Sequence, residues 1–374
     1  MSGPPSARAV ALAVLDRIDP GGAYANLVLG DALDRSGLDL RDRRFATDLV
    51  YGTTRRRRAC DHLVDRFLVR PVEPTVRNVL RLGAYQLHDL GLPPHAAVGA
   101  TVEAAPRRAR GLVNAVLRRV AGAPVRWPDE ATRLSYPDWI VAQLTADLGP
   151  DDARAALEVM NAAPEVTTRS DGYVQDLSSQ WVADLVGAGP GERVLDLCAA
   201  PGGKATALAA TGARVVAADV RPGRLGLVAR NAARLDHPLA VLVADGRRPP
   251  LRPASFDRVL VDAPCSGLGA LRRRPDARWR VDPGAVERLA RLQRELVDAA
   301  ADLVGPGGVL VYSACTLTTA ESRGVDDHLA ATRPDLVALD PPAGPWRPWG
   351  RGARVLPQDA GTDGMSVLRL RRAT

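Results

Sequence analysis

With 374 residues, 46% of them hydrophobic, the chain can bury more than one core, so a single small module is excluded. A formal charge of +7 and a pI near 9.7 suit a polyanionic partner, because neutralised phosphates release their counterions. The opening MSGPPSARAVALAVLDRI is too short in apolar residues to span a bilayer, meets Asp16 and Arg17, and lacks a small-residue cleavage pattern, so a cytoplasmic protein without a membrane segment is expected.

From residue 6 to about 121 apolar residues return every three or four positions, as in Ala9 to Ile18 and Val76 to Leu90, which predicts an all-helical region. The prolines of GLPPH at 91–95 divide two of its helices, and GAPVRWP at 122–128 closes it. Further helical segments follow over 129–170. From 172 onward short β-branched runs alternate with amphipathic helices, the signature of an α/β fold. The predicted strands are Arg193–Leu197, Arg214–Asp219, Leu239–Ala244, Arg258–Asp262, Gly308–Ser313 and Ser366–Leu370. Between the last two pairs, Leu289, Leu292, Leu296 and Leu303 share one helical face suited to packing on a sheet. The division expected is 1–125 helical, 126–171 a helical linker, and 172–374 a Rossmann-like α/β domain.

Chemistry concentrates at the ends of these strands. VLDLCAAPGGKAT reads as strand, glycine loop and helix, a ligand cradle at the carboxyl end of an open α/β sheet. The next strands end in Asp219 and Asp245, carboxylates placed to accept hydrogen bonds from a nucleoside's hydroxyls, and a third strand ends in Asp262. The loop has neither a G-x-G-x-x-G fingerprint nor a GK[ST] phosphate loop, so an adenosine cofactor without a phosphate cradle fits better than nicotinamide or ATP. Lys204 is the only lysine in a chain whose other basic residues are all arginine, which asks for a reason at that position.

The cysteines Cys60, Cys198, Cys265 and Cys315 are dispersed and form no CxxC pair, so no zinc or other metal site and no disulfide framework is expected. Two of them follow strand ends: Cys265 in RVLVDAPCSGLG and Cys315 in GVLVYSACTL. A thiolate is a good nucleophile toward an electron-poor ring carbon. Free cysteine, with a pKa of roughly 8.5, ionises more readily in an electropositive pocket of the kind Lys204 could supply.

CAAPGGK, DAPCSG and YSACTL resemble the matching segments of the RsmB/NOP/Sun family of RNA 5-methylcytosine methyltransferases. LRDRRFATDLVYGTTRRR, RLGAYQLHDL and GLVNAVLRRV resemble the NusB-like RNA-binding domain that precedes the catalytic domain in its bacterial branch. The resemblance implies S-adenosylmethionine as cofactor, held by Cys198, Ala199, Ala200, Pro201, Gly202, Gly203 and Lys204, with Asp219 on the ribose, Asp245 near the adenine and Asp262 closing the site. Arg224 matches a basic position that follows the ribose aspartate. It also implies that Cys315 attacks carbon 6 of a cytosine, that Asp262 engages the ring nitrogen, and that Cys265 assists proton loss from carbon 5. The implied partner is RNA, in particular 16S rRNA of the small subunit, met by a monomer. The target base must be unpaired or extruded, and Tyr312 and Trp279 are candidates to stack on it.

Two departures stand out. NAAPEVTTR at 161–169 runs almost directly into GYVQDLSSQ at 172–180, where the family carries an RRM-like segment, and Met365 and Ser366 replace two aromatics in the closing GTDGMSVLRLRR, which predicts looser packing there. Two rival readings differ in chemistry. A non-catalytic NusB-like antitermination protein would bind RNA but no cofactor, and a methyltransferase acting on protein or small molecules would need neither thiol. The pair of strand-end cysteines and the lone Lys204 favour the RNA cytosine enzyme over both.

Overall fold

The computed structural model describes residues 5–374. The chain forms two compact units. One is helical and extends to Ala142, with Asn161–Ala163 and Arg272–Arg280 added; the other is built from Gln143–Met160, Pro164–Leu271 and Val281–Thr374.

The helical unit contains α1 (Ala7–Ile18), α2 (Ala25–Ser36), α3 (Leu40–Arg55), α4 (Arg57–Asp65), α5 (Pro74–His88), α6 (Pro94–Ala104), α7 (Arg110–Gly122) and the short α8 (Glu130–Leu134), and α9 (Asp138–Leu148) and α10 (Pro150–Val159) follow in the chain. Local sequence sets their starts. Ser6, Asp39 and Asp129 accept from backbone amides in the first turns of α1, α3 and α8, and proline opens α5 and α6, where its missing N–H costs nothing. The apolar stripes meet in one core that includes Val14, Leu49, Leu80, Leu82 and Leu117. The all-helical reading of this region holds, and the GLPPH turn falls between α5 and α6 as expected.

Sequence periodicity gave no sign that Arg272–Arg280 belongs with these helices. Arg278 explains it. Its fully buried guanidinium lies 3.9 Å from the centroid of the Tyr136 ring and donates to the carbonyls of Arg55 and Ser135, each at 3.1 Å, and to Asn161 Oδ1 at 3.0 Å. Neighbouring Trp279 donates from Nε1 to the Thr54 carbonyl at 2.7 Å. Trp279 thus helps to anchor the helical unit.

In the second unit the strands are β1 (Arg193–Asp196), β2 (Arg214–Asp219), β3 (Ala240–Val243), β4 (Phe256–Asp262), β5 (Val304–Ala314), β6 (Leu336–Ala338), β7 (Arg347–Trp349), β8 (Gly352–Val355) and β9 (Met365–Arg372). They form one sheet in the order β3-β2-β1-β4-β5-β9-β8-β7, with β6 pairing to β9. The strands from β3 to β5 are mutually parallel, and β9 runs antiparallel to β5. All the expected strands are present, with ends shifted by a few residues. The missed ones, β6 to β8, are too short to show alternation.

Alternation along the strands sends Val194, Val309 and Val311 to one face, against α11 (Leu177–Val186), α12 (Gly203–Ala210) and α13 (Pro222–Leu235). Leu195, Leu310 and Tyr312 go to the other, against α14 (Pro283–Leu303) and α15 (Arg323–Thr332). On α14 the buried stripe is Ala285, Val286, Ala290, Gln293, Leu296, Val297, Ala300, Ala301 and Leu303, with Leu292 half-buried against the same core and Leu289 half-buried at its margin. Leu296 and Leu303 therefore face the sheet as their spacing predicts, and alanines between them let the helix approach it closely. This is the expected Rossmann-like α/β unit preceded by an all-α unit.

The short middle is also visible. Before α11 the residues from 164 on contribute one isolated bridge, Thr168 with Val174, and no strand–helix module. At the C-terminus Met365 and Ser366 are each 1% exposed and Ser366 Oγ donates to the Thr316 carbonyl at 3.1 Å, so the looser packing expected there is not found.

Candidate active site

Strand order reverses between β1 and β4, and the loops leaving their carboxyl ends border the crevice where open α/β sheets bind ligands. The loop from Leu197 to Gly202 turns β1 into α12. Gly202 has φ +106°, and a Cβ there would stand 3.0 Å from Val228 Cα; a Cβ on Gly203 would stand 3.0 Å from Tyr173 and from Gln175 Nε2. Both glycines are therefore required by close packing within the protein. Arg169, stacked 4.9 Å from the Tyr173 ring, donates to the Gly203 carbonyl and to Thr206 Oγ1, so the GYVQD segment braces the loop.

Asp219, at the end of β2, accepts from the Ala200 amide at 3.3 Å and from the Arg221 amide at 2.9 Å, while Arg224 donates to the Ala200 carbonyl at 2.8 Å. The loop Cys198–Pro201 and Asp219 are thus brought together, with Arg224 beside them. Asp245 lies beyond β3, at the sheet's edge, where Arg247 engages its carboxylate at 2.7 Å and holds it down at about 2. Burial, with nearby Asp196 adding to it, pushes the Cys198 thiol well above its ordinary range.

Asp196 was not singled out from the sequence. It is buried at the end of β1, and neither oxygen has a hydrogen bond of ordinary geometry. Burial, ahead of repulsion from Asp262, raises its carboxyl to about 7, with the Lys204 ammonium and the Cys198 amide opposing. A carboxyl raised in the folded state favours folding most below about pH 4, and that stabilisation is lost as pH climbs through about 7. Asp196→Asn is therefore expected to flatten the fall in Tm between about pH 4 and pH 7. A variant that keeps the wild-type slope would show that Asp196 does not carry it.

Lys204 sits in the first turn of α12, its side chain 8% exposed, and donates to Asp262 Oδ2 at 2.6 Å and to Ser179 Oγ at 3.2 Å. Burial works against its charge, but the Asp262 carboxylate outweighs it and the ammonium is held above its ordinary pKa. Asp262 Oδ1 accepts from Ser313 Oγ at 2.8 Å. Because Asp262 and Ser313 are register partners in β4 and β5, the loops beyond them start side by side. Their sulfurs meet: Cys265 Sγ and Cys315 Sγ are 3.3 Å apart, both as free thiols, and the Gly269 amide donates to the Cys315 carbonyl at 3.1 Å. The structure thus brings Lys204, Asp262, Cys265 and Cys315 into one cluster. Ser179 and Ser313, which bond Lys204 and Asp262, carry no sequence signal beyond a hydroxyl.

Tyr312 does not belong to the surface of this site. It is 1% exposed, its hydroxyl 3.0 Å from Gln293 Oε1 and 2.6 Å from the Glu321 carbonyl, so it is a core residue and not a stacking platform. Among the described residues no group of His, Cys, Asp and Glu could hold a metal ion, and no helix is long and apolar enough to cross a membrane.

Comparison with known proteins decides the family. Residues 185–371 match the model of the 16S rRNA methyltransferase RsmB/F family, and residues 5–122 match the NusB family. The ribosomal RNA small subunit methyltransferase B of Thermus thermophilus is 41% identical over 98% of this chain and 97% of its own length. The chain belongs to the RsmB/F methyltransferase family. A putative methyltransferase of Mycobacterium tuberculosis is 38% identical over 98% of the chain and 97% of its own length. That alignment runs over 450 positions, more than the 374 residues here, so this RsmB/F member lacks residues its relative has, in keeping with its short middle. The crystal structure of PH0851 superposes with a TM-score of 0.79 over all of both chains at 22% identity, a likeness of fold. The sheet unit of this RsmB/F chain has the S-adenosylmethionine-dependent methyltransferase fold.

Proposed function

We propose that this protein methylates carbon 5 of a cytosine in RNA, namely small-subunit 16S rRNA, through a covalent bond from Cys315 to carbon 6 of the ring. The observation that carries the reading is the thiol pair 3.3 Å apart beside the Lys204–Asp262 ion pair. A methyltransferase acting on nitrogen or oxygen has no use for two thiols, because its acceptor atom already bears a lone pair. Carbon 5 of cytosine becomes nucleophilic only after something adds to carbon 6 and leaves an enamine.

Bound S-adenosylmethionine supplies an electrophilic methyl group. Cys198 to Lys204, Asp219, Asp245 and Asp262 are assigned to hold it, and the orphaned Asp196 oxygens offer acceptors to its cationic end. Cys315 adds as the thiolate, which the Lys204 ammonium attracts. Asp262 passes a proton to the ring nitrogen on which addition places negative charge, and takes it back when the thiolate leaves. After carbon 5 is methylated, Cys265 assists removal of its proton, the electron pair re-forms the ring double bond, and Cys315 leaves as thiolate. Residues 1–125 are assigned to RNA docking, 126–171 to the link, and 172–374 to the transfer. The base enters unstacked, since a stacked ring cannot be approached from two sides.

RNA containing 5-fluorocytosine tests this directly, because fluorine at carbon 5 cannot be removed as a proton is. Wild-type protein with S-adenosylmethionine should form an RNA adduct that survives a denaturing gel, and Cys315→Ala should form none. Methylation of ordinary rRNA at a nitrogen or oxygen, undiminished in Cys315→Ala, would overturn the proposal.

A further inference from the structure

The two thiol-bearing loops turn onto one buried carboxylate. Glu321 is fully buried, and its Oε1 accepts from the Ser266 amide at 2.7 Å and from Gln293 Nε2 at 3.1 Å. Its Oε2 accepts from Ser266 Oγ at 2.5 Å, from Thr316 Oγ1 at 2.8 Å and from Thr318 Oγ1 at 2.8 Å. Ser266 directly follows Cys265, and Thr316 directly follows Cys315. Gln293, from α14, also donates to the carbonyl of Pro264, the residue before Cys265, at 2.9 Å. The hydroxyls of Ser266 and Thr316 lie 3.0 Å apart, so the loops touch each other at the same point where both hold the carboxylate.

A merely structural glutamate would tie down one loop. This one ties the residue next to each sulfur, and shifting either contact changes the separation of the sulfurs. We propose that Glu321 is the positioning residue that locks the two thiol loops at their working separation and divides the roles of the two sulfurs. The inference rests on the covalent reading above.

The division of roles follows from which charge each sulfur faces. Cys265 faces Cys315, Tyr312 and Glu321; its hydrogen bond with Cys315, then burial, then the repulsion of thiolate by the Cys315 and Glu321 charges hold it well above the ordinary thiol range. Cys315 is the sulfur to which the Lys204 ammonium is coupled. When the pair carries one proton, that proton stays on Cys265, and Cys315 is the thiolate that attacks. Once Cys315 is bonded to carbon, its charge no longer opposes ionisation of Cys265, which can then lose its proton and serve as base.

Glu321→Gln keeps the size of the side chain and removes its charge. In the full-length protein it is expected to lower kcat for RNA methylation by about 10- to 100-fold with the KM for RNA unchanged, the cost of loosened reacting groups. It should also make Cys265 several-fold more reactive toward iodoacetamide near pH 8, read by mass spectrometry of the peptide, because losing a nearby negative charge favours the thiolate. A merely structural role would not speed that alkylation. If Glu321→Gln does not fold, Thr316→Val carries the test, with a several-fold lower kcat and unchanged S-adenosylmethionine affinity expected. Wild-type methylation that depends on Cys315, with unchanged kcat and unchanged Cys265 alkylation in the variant, overturns the inference alone. Methylation indifferent to Cys315→Ala overturns the covalent reading beneath it.

Discussion

Cys265→Ala, incubated with S-adenosylmethionine and unmodified rRNA, is expected to accumulate a protein band retarded by bound RNA on a denaturing gel, while Cys315→Ala accumulates none and loses turnover by about four orders of magnitude or more. The asymmetry follows from the order of bonds. Removing Cys315 prevents the first bond, so nothing accumulates and no enamine forms. Removing Cys265 leaves addition and methyl transfer intact and slows the proton loss that must precede departure of the sulfur. The 3.3 Å separation of the two sulfurs puts a base beside the thiol it must help to release. Nucleoside analysis of RNA freed by protease from the Cys265→Ala adduct should show carbon 5 already methylated. Equal trapping by both variants would remove the assigned difference between the thiols, and trapping by Cys315→Ala alone would reverse their roles.

The sequence was most informative where one short stretch holds both the element and its chemistry. VLDLCAAPGGKAT, RVLVDAPCSGLG and GVLVYSACTL each contain a strand and the loop that follows it, and a parallel sheet necessarily opens such loops at one edge. That Lys204 meets Asp262 is a tertiary fact, yet the isolation of a single lysine among arginines flagged it. What could not be read depends on distant partners. Glu321 lies in TLTTAES, and only the pairing of β4 with β5 carries the Ser266 and Thr316 hydroxyls onto its carboxylate. Arg278 carries no signal of its own in the sequence, and only the Tyr136 ring and the carbonyls of Arg55 and Ser135 that enclose it show its part. One aromatic misled for a related reason. Tyr312 sits close in sequence to Cys315, but alternation turns it into the α14 face of the sheet, where it is buried.

Lys204→Met is expected to reduce kcat by about a thousand-fold and to cost stability of up to about 3 kcal/mol, since breaking one side of a buried pair leaves the other charge uncompensated. The lower end of the usual range applies, because the Asp262 side chain is 32% exposed and water screens it in part. Lys204→Arg should not restore activity: a planar fork cannot replace a compact ammonium that reaches Asp262 Oδ2 and Ser179 Oγ from one atom. The double variant Lys204→Met with Asp262→Asn separates the two losses. With both charges gone, the Tm should recover much of its fall, because no unpaired carboxylate remains. Activity should stay lost, because Cys315 still lacks the cation that attracts its thiolate and the ring nitrogen lacks its carboxylate partner. Recovery of both together would mean that the pair serves only the fold, and recovery of neither would place the stability loss in the packing of the lysine's methylenes instead of its charge.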